Sequence, residues 1–211
     1  MKMNPSKKKV IEAASSLFFQ KGFHGTSVRN IAEKASVNVS LISYYFKNKQ
    51  GLLEYAVTNY YEEYLEHIEA IIEDVQSLSA VEQLNEVIRV IIQYKQMNYQ
   101  LTSFIQHELS LDSIFVREMA VTYLAKENHY LQQIFFQALP KHKGKDDLKD
   151  FLFMQFKGML NTPYVMHHEW KDHVIGQFSH RAFAKKYIKI VQEWIAYLTA
   201  EKPNAVQKNG R

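Results

Sequence analysis

The residues with the clearest capacity for chemistry lie between Ser27 and Lys49, and the chemistry they offer is recognition, not catalysis. Val28 to Lys47 has the spacing of a helix-turn-helix, in which two short helices cross steeply and bury a small joint core. Ile31, Ala35, Val37, Ile42 and Tyr45 occupy the apolar places of such a core, and Ala32 the place of closest approach. The turn holds Ser36 where a glycine would take positive φ without penalty. If the left-handed geometry is kept, Ser36 carries ~1 kcal/mol of local strain. The second helix of such a motif enters the DNA major groove by its N-terminal end. With Ile42 and Phe46 turned inward, Val39, Ser40, Leu41 and Ser43 face base edges, next to Asn38 of the turn. Serine can donate or accept there, and valine or leucine can touch a thymine methyl. Ser27 stands at a helix N-terminus, where free N–H groups favour an anion. Ser27, Tyr44, Tyr45 and Lys49 are the candidate phosphate contacts. Plainer roles are open to three of them: Ser27 as a cap, Tyr45 as core, Lys49 as a solvated charge.

Charge supports a polyanionic partner. Residues 1–50 hold nine Lys/Arg against Glu12 and Glu33, or +7, so the rest of this +4 chain carries −3. A basic head and a mildly acidic body suit double-stranded DNA on one side only. Catalytic patterns are missing from the sequence. Ser6-x-x-Lys9 matches a short one, but it falls at a helix start, where capping explains it. No Gly-x-Ser-x-Gly, phosphate-binding glycine loop or paired-His zinc motif occurs. His167, His168, Glu169 and His173 lack the i,i+4 pairing of a helical metal site. The expectation is no enzyme, no cofactor and no metal. The chain has no Cys, which excludes disulfides and fits a reducing compartment. No apolar run reaches the roughly 18 residues of a membrane span, and no signal-peptide h-region follows the basic start. The expected place is a bacterial or archaeal cytoplasm, at the nucleoid, with no membrane partner.

The elements that must position these residues are helical. Only 7 Gly and 4 Pro occur, and apolar residues recur at three- and four-residue steps. The periodicity predicts an all-α chain: a three-helix head over 5–50, a helical body over 51–200 and a disordered tail over 201–211. A first helix runs from about Ser6 to Lys21, with Gly22 left-handed at its end. Thr26 or Ser27 caps the second. Body helices follow over about 51–75, through Leu84–Ile92, over 102–110, 113–138 and 147–162, and through Phe183–Leu198. Asn98 to Thr102 reads as a break, and Pro140 to Lys145 as a basic loop. The 147–162 segment is apolar on nearly every side, so it must be covered on more than one face. Its own core can supply one cover and a second subunit the other. Phe183, Tyr187, Ile190, Val191, Trp194, Ile195 and Leu198 form a single amphipathic stripe on the last helix.

Thr26-Ser27-Val28-Arg29-Asn30-Ile31-Ala32-Glu33-Lys34-Ala35, followed by Ser36-Val37-Asn38 and on through Tyr44-Tyr45-Phe46-Lys47-Asn48-Lys49, resembles the TetR family of bacterial regulators. Leu17-Phe18, Lys21-Gly22-Phe23 and Gly51-Leu52-Leu53 extend the likeness over about residues 6–55. The resemblance implies a dimer formed through the last two helices, reading an inverted repeat, often as a repressor, with a small-molecule effector inside the body. It also implies that Arg29 reaches DNA, which makes it the best candidate for a bidentate guanine contact. Val39, Ser40 and Leu41 depart from the family's usual small or basic residue and Gly or Thr, so no operator carries over. Tyr94, Met97, Phe104, His107, Tyr123 and His129 are candidate pocket residues, or ordinary core. Val37-Asn38-Val39, Gln100-Leu101-Thr102-x-Phe104 and Thr122-Tyr123-Leu124 also resemble RefZ-like members of spore-forming bacilli, which act on the cell-division protein FtsZ. That likeness would make Arg117, Glu118 and Lys126 a protein-facing surface instead of a solvated helix face.

Overall fold

In a computed structural model, residues 4–111, 114–140, 146–165 and 179–200 are described. They form nine helices and no strand. The head comprises α1 (Pro5–Lys21), α2 (Val28–Ala35) and α3 (Val39–Phe46). The body follows as α4 (Lys49–Asp74), α5 (Ala80–Met97), α6 (Tyr99–Ser110), α7 (Ile114–Ala138), α8 (Asp146–Val165) and α9 (His180–Thr199). The expected tail, the His167–His173 group and Lys141–Lys145 of the basic loop lie outside the described residues. No described helix is long and apolar enough to cross a membrane.

Caps and turns explain the head. Asn4 accepts the Ser6 N–H at 2.9 Å and opens α1 ahead of Pro5, which needs no N–H partner at that position. Gly22 ends α1 at φ 69°, ψ 171°. The positive φ was expected, but the extended ψ belongs to a region essentially reserved for glycine, not to the left-handed helix. Ser36 does keep the left-handed geometry, at φ 53°, ψ 48°. Its N–H and that of Val37 close the end of α2 on the carbonyls of Glu33 and Ala32. Val10, Ala14, Phe18, Ile31, Ala32, Ala35, Ile42 and Phe46 make one core with Leu52 and Leu53 of α4. Fully burying a side chain of this size is worth ~1.5–3 kcal/mol. Ile31 and Ile42 are both completely buried, and they lock the crossing of α2 on α3.

The body departs from the predicted elements in two places. The break before α6 is Asn98 alone, and Tyr99 is already helical. Thr102 stabilises this tight corner: its hydroxyl donates to Lys95 O at 3.1 Å and pairs with the Tyr60 hydroxyl at 3.0 Å. On α9, Ile190 leaves the apolar stripe and lies 59% exposed, while Val191, Ile195 and Leu198 are buried. Ile190 and Tyr197 thus form a second, outward row, and half-buried Trp194 between them stacks on Phe135 at 6.4 Å. The same doubling holds on α8. Phe156, Leu160 and Tyr164 are buried, Phe135 of α7 stacking on Phe156 at 4.8 Å between centroids. Leu148, Phe151 and Met154 face solvent.

Candidate nucleic-acid interface

The outer face of α3 is what the head presents. Val39, Ser40, Ser43 and Tyr44 are exposed, Tyr44 to 80%. Ile42 and Phe46 are buried, so the inward face is the expected one. Leu41 is half-buried and offers only part of its side chain. Arg29 is exposed in the first turn of α2.

Several polar candidates are also structural. Ser27 accepts the Asn30 N–H at 3.1 Å, and Asn30 Oδ1 accepts from the Ser27 N–H in return. This reciprocal box caps α2 and leaves other first-turn N–H groups pointing outward. Asn38 caps α3: its Oδ1 accepts the Ser40 N–H at 2.9 Å and the Ser40 hydroxyl at 2.8 Å. The Asn38 amide and the Ser40 lone pairs are what remain for a base edge. Tyr45 is half-buried, and its hydroxyl accepts from Asn4 Nδ2 at 3.1 Å. It ties the start of α1 to the reading helix while staying at the surface.

Lys49 differs most from the expectation of a simple phosphate contact. It is the first residue of α4, where a cation is disfavoured by the helix dipole. The side chain turns back. Its ammonium donates to Phe23 O at 2.7 Å and Thr26 O at 2.8 Å, over the Phe23 ring at 4.2 Å. These bonds brace the loop that leads into the Ser27 cap, and one of three donors is left over. Lys49→Met should therefore lower stability by ~1.5–3 kcal/mol, the worth of hydrogen bonds to a charged donor. Urea unfolding checks this; an unchanged midpoint would return Lys49 to the role of a surface charge.

Two neighbours were not picked out from the sequence. Lys47 is exposed and closes α3 at φ 66°, ψ −56°, a strained conformation for a residue with a side chain. It projects a cation from the end of the reading helix. Asn48 caps α4, accepting the Gly51 N–H at 2.8 Å. Gly51 is required there, because a Cβ would lie 2.2 Å from Phe46 O. The hint in the sequence was a basic residue and an Asn directly after a helical run.

Of the six candidate pocket residues, Tyr94 and Tyr123 join one aromatic group through Tyr60 and Tyr61, and the other four lie apart from it. Met97 is 74% exposed, and His107 and His129 are exposed. Tyr94 is buried against α4, donating to Tyr60 O at 2.8 Å. Tyr123 stacks on Tyr61 at 5.5 Å. Phe104 packs on Phe18 at 5.4 Å, so it joins α6 to the head. Of the candidate partner surface, Arg117 and Glu118 are exposed on α7, while Lys126 is ion-paired with Glu69 of α4.

The fold and this face define a helix-turn-helix DNA-binding regulator. Residues 10–56 match the family described as "Bacterial regulatory proteins, tetR family". The chain is 37% identical over 190 residues to "Probable HTH-type transcriptional regulator YttP" of Bacillus subtilis (strain 168), covering 90% of this chain and 92% of that relative. A TetR-family transcriptional regulator from Bordetella parapertussis superposes with a TM-score of 0.70 at 18% identity, over 95% of this chain and all of that one. The fatty acid degradation regulator FadR from Bacillus halodurans does so with 0.68 at 18% identity, over 91% and 97%. The chain belongs to the TetR family of transcriptional regulators.

Proposed function

We propose that this regulator is a homodimeric repressor that reads an inverted-repeat operator and leaves it when a small molecule occupies the body. The observation that carries the DNA reading is the outward face of α3, exposed beside the cations of a +7 head. Dimerisation is supported by the apolar side chains that α8 and α9 leave exposed among the described residues, Phe151 and Met154 on one and Ile190 and Tyr197 on the other. A dimer places two reading helices about 34–36 Å apart, one turn of DNA. The effector would act by population shift, favouring a body geometry with the wrong reader spacing. An FtsZ-facing body gains no observation of its own from Arg117, Glu118 and Lys126.

Selection of bound genomic fragments tests the reading. Two half-sites in inverted repeat are expected, and recovery of sequences without symmetry would overturn it. Within the selected site, Arg29→Ala should cost ~1–3 kcal/mol and relax preference at one base position per half-site. Unchanged affinity and preference would remove Arg29 from the base contacts.

A further inference from the structure

Four body helices meet at a buried group of charges. Glu127 of α7 is 3% exposed and accepts from Lys157 of α8 at 2.5 Å and from the Tyr64 hydroxyl of α4 at 2.6 Å. Lys95 of α5 is 2% exposed. Its ammonium bonds closely to a neutral group, Asn161 Oδ1 of α8, at 2.6 Å. Among the described residues the only carboxylate paired with it, Glu127, lies 3.8 Å away. Two ammoniums thus share one carboxylate, and the under-compensated cation is the deeper one. Burying an ion costs several kcal/mol after relaxation, and hydrophobic replacements of buried pairs are often neutral or stabilising. Stability alone gives no reason to keep Lys95 here.

A second observation points the same way. Tyr61 of α4 is buried, and its hydroxyl has no hydrogen-bond partner among the described residues. Leaving such a donor unmade costs about 1–3 kcal/mol. It belongs to the same region: it stacks on Tyr123, and the Glu127 charge helps burial raise its pKa well above the usual phenol value. An acceptor carrying one negative charge is the group that would satisfy both an excess cation and an idle donor. A phosphate monoester, with a charge of about −1.5 to −2, would overshoot a single excess charge. A carboxylate matches it. The rings of Tyr60, Tyr61, Tyr64 and Tyr94 suit an apolar remainder. Lys157 is the partly exposed member of the group and gives it a side open to solvent.

We infer that the effector of this regulator is a monocarboxylate with an apolar body, its carboxylate held by Lys95 with help from Tyr61. This rests on the reading of the body as an effector domain. Calorimetric titration and thermal unfolding of the full chain test it, with butyrate, octanoate, laurate and benzoate as probes and octanol and octylamine as controls. At least one carboxylate should bind and raise Tm, and neither control should. Lys95→Met should keep its fold and its selected DNA site while weakening the carboxylate at least about tenfold. Tyr61→Phe should weaken it less. Carboxylates that all fail to bind, or that bind Lys95→Met as well as the parent chain, would overturn the inference with the DNA reading intact. Failure to select any DNA site would instead strike the regulator reading, whatever the carboxylates do.

Discussion

Glu127→Gln should lower stability by ~3–5 kcal/mol, because it strands two ammoniums in the body with no anion between them. The neighbouring change predicts the opposite sign. Lys95→Met removes a buried charge, keeps the side chain's length, and leaves Glu127 paired with Lys157 at 2.5 Å and Tyr64 at 2.6 Å. It should be neutral or stabilising. Equilibrium urea unfolding measures both, and equal losses in the two variants would show that the group is not under-compensated. Acidity gives a second axis. Burial opposes the charge of Glu127, but Lys95 and Lys157 outweigh it and hold the carboxyl down at about 2, against 4.5 ordinarily. A carboxyl depressed on folding contributes stability above its unfolded value and loses it as pH falls toward the folded one. This contribution should fade between about pH 4.5 and 2 in the parent chain and be missing from Glu127→Gln. Lys95 works in the alkaline range. Burial pulls its ammonium from 10.5 down to about 8, so the unfolded chain binds the extra proton between those values. Stability should rise with pH across that window. The cost of Glu127→Gln should shrink there too, since Lys95 can shed the proton that has lost its counter-charge.

What could be read in the sequence was whatever depends on near neighbours. The helix-turn-helix is written in Ile31, Ala32, Ala35 and Ile42, whose spacing forces two helices into one joint core. Gly22, Ser27 and Ser36 announce their turns for the same local reason. Roles set across the fold were not legible. Lys49 looks like any basic residue before a helix until Phe23 O and Thr26 O come within reach, 26 and 23 positions back. Lys95 and Glu127 sit in runs of ordinary helical composition, and only the meeting of α5 with α7 puts both inside. Met97, His107 and His129 are exposed for the complementary reason: residue type suggests a pocket, but packing decides the face. The apolar excess of α8 was visible, whereas the second row on α9 was hidden. Ile190 precedes Val191 and merged with the inner stripe until burial separated them.

That second row leads to the largest expected effect on DNA. Phe151 is 62% and Met154 63% exposed in the single chain, one turn apart on α8. If two chains pack through α8 and α9, Phe151→Asp puts a carboxylate into each half of a desolvated core, twice per dimer by symmetry. An unpaired charge there cannot be satisfied, and separation of the chains relieves it. The folded single chain should barely notice, because Phe151 contributes little to its own core. The variant should therefore unfold near the parent midpoint yet sediment as a monomer. Its operator affinity should then collapse. Two linked readers bind a double site more tightly than one by about 10²- to 10⁴-fold, without any new contact to DNA. Phe151→Asp should lose that factor on the full inverted repeat and nearly nothing on a single half-site. Half-site binding is the discriminating control, since damage to the head would weaken both. A variant that remains dimeric with parent affinity would place the interface elsewhere on the body, and the outward rows of α8 and α9 would then need another cover.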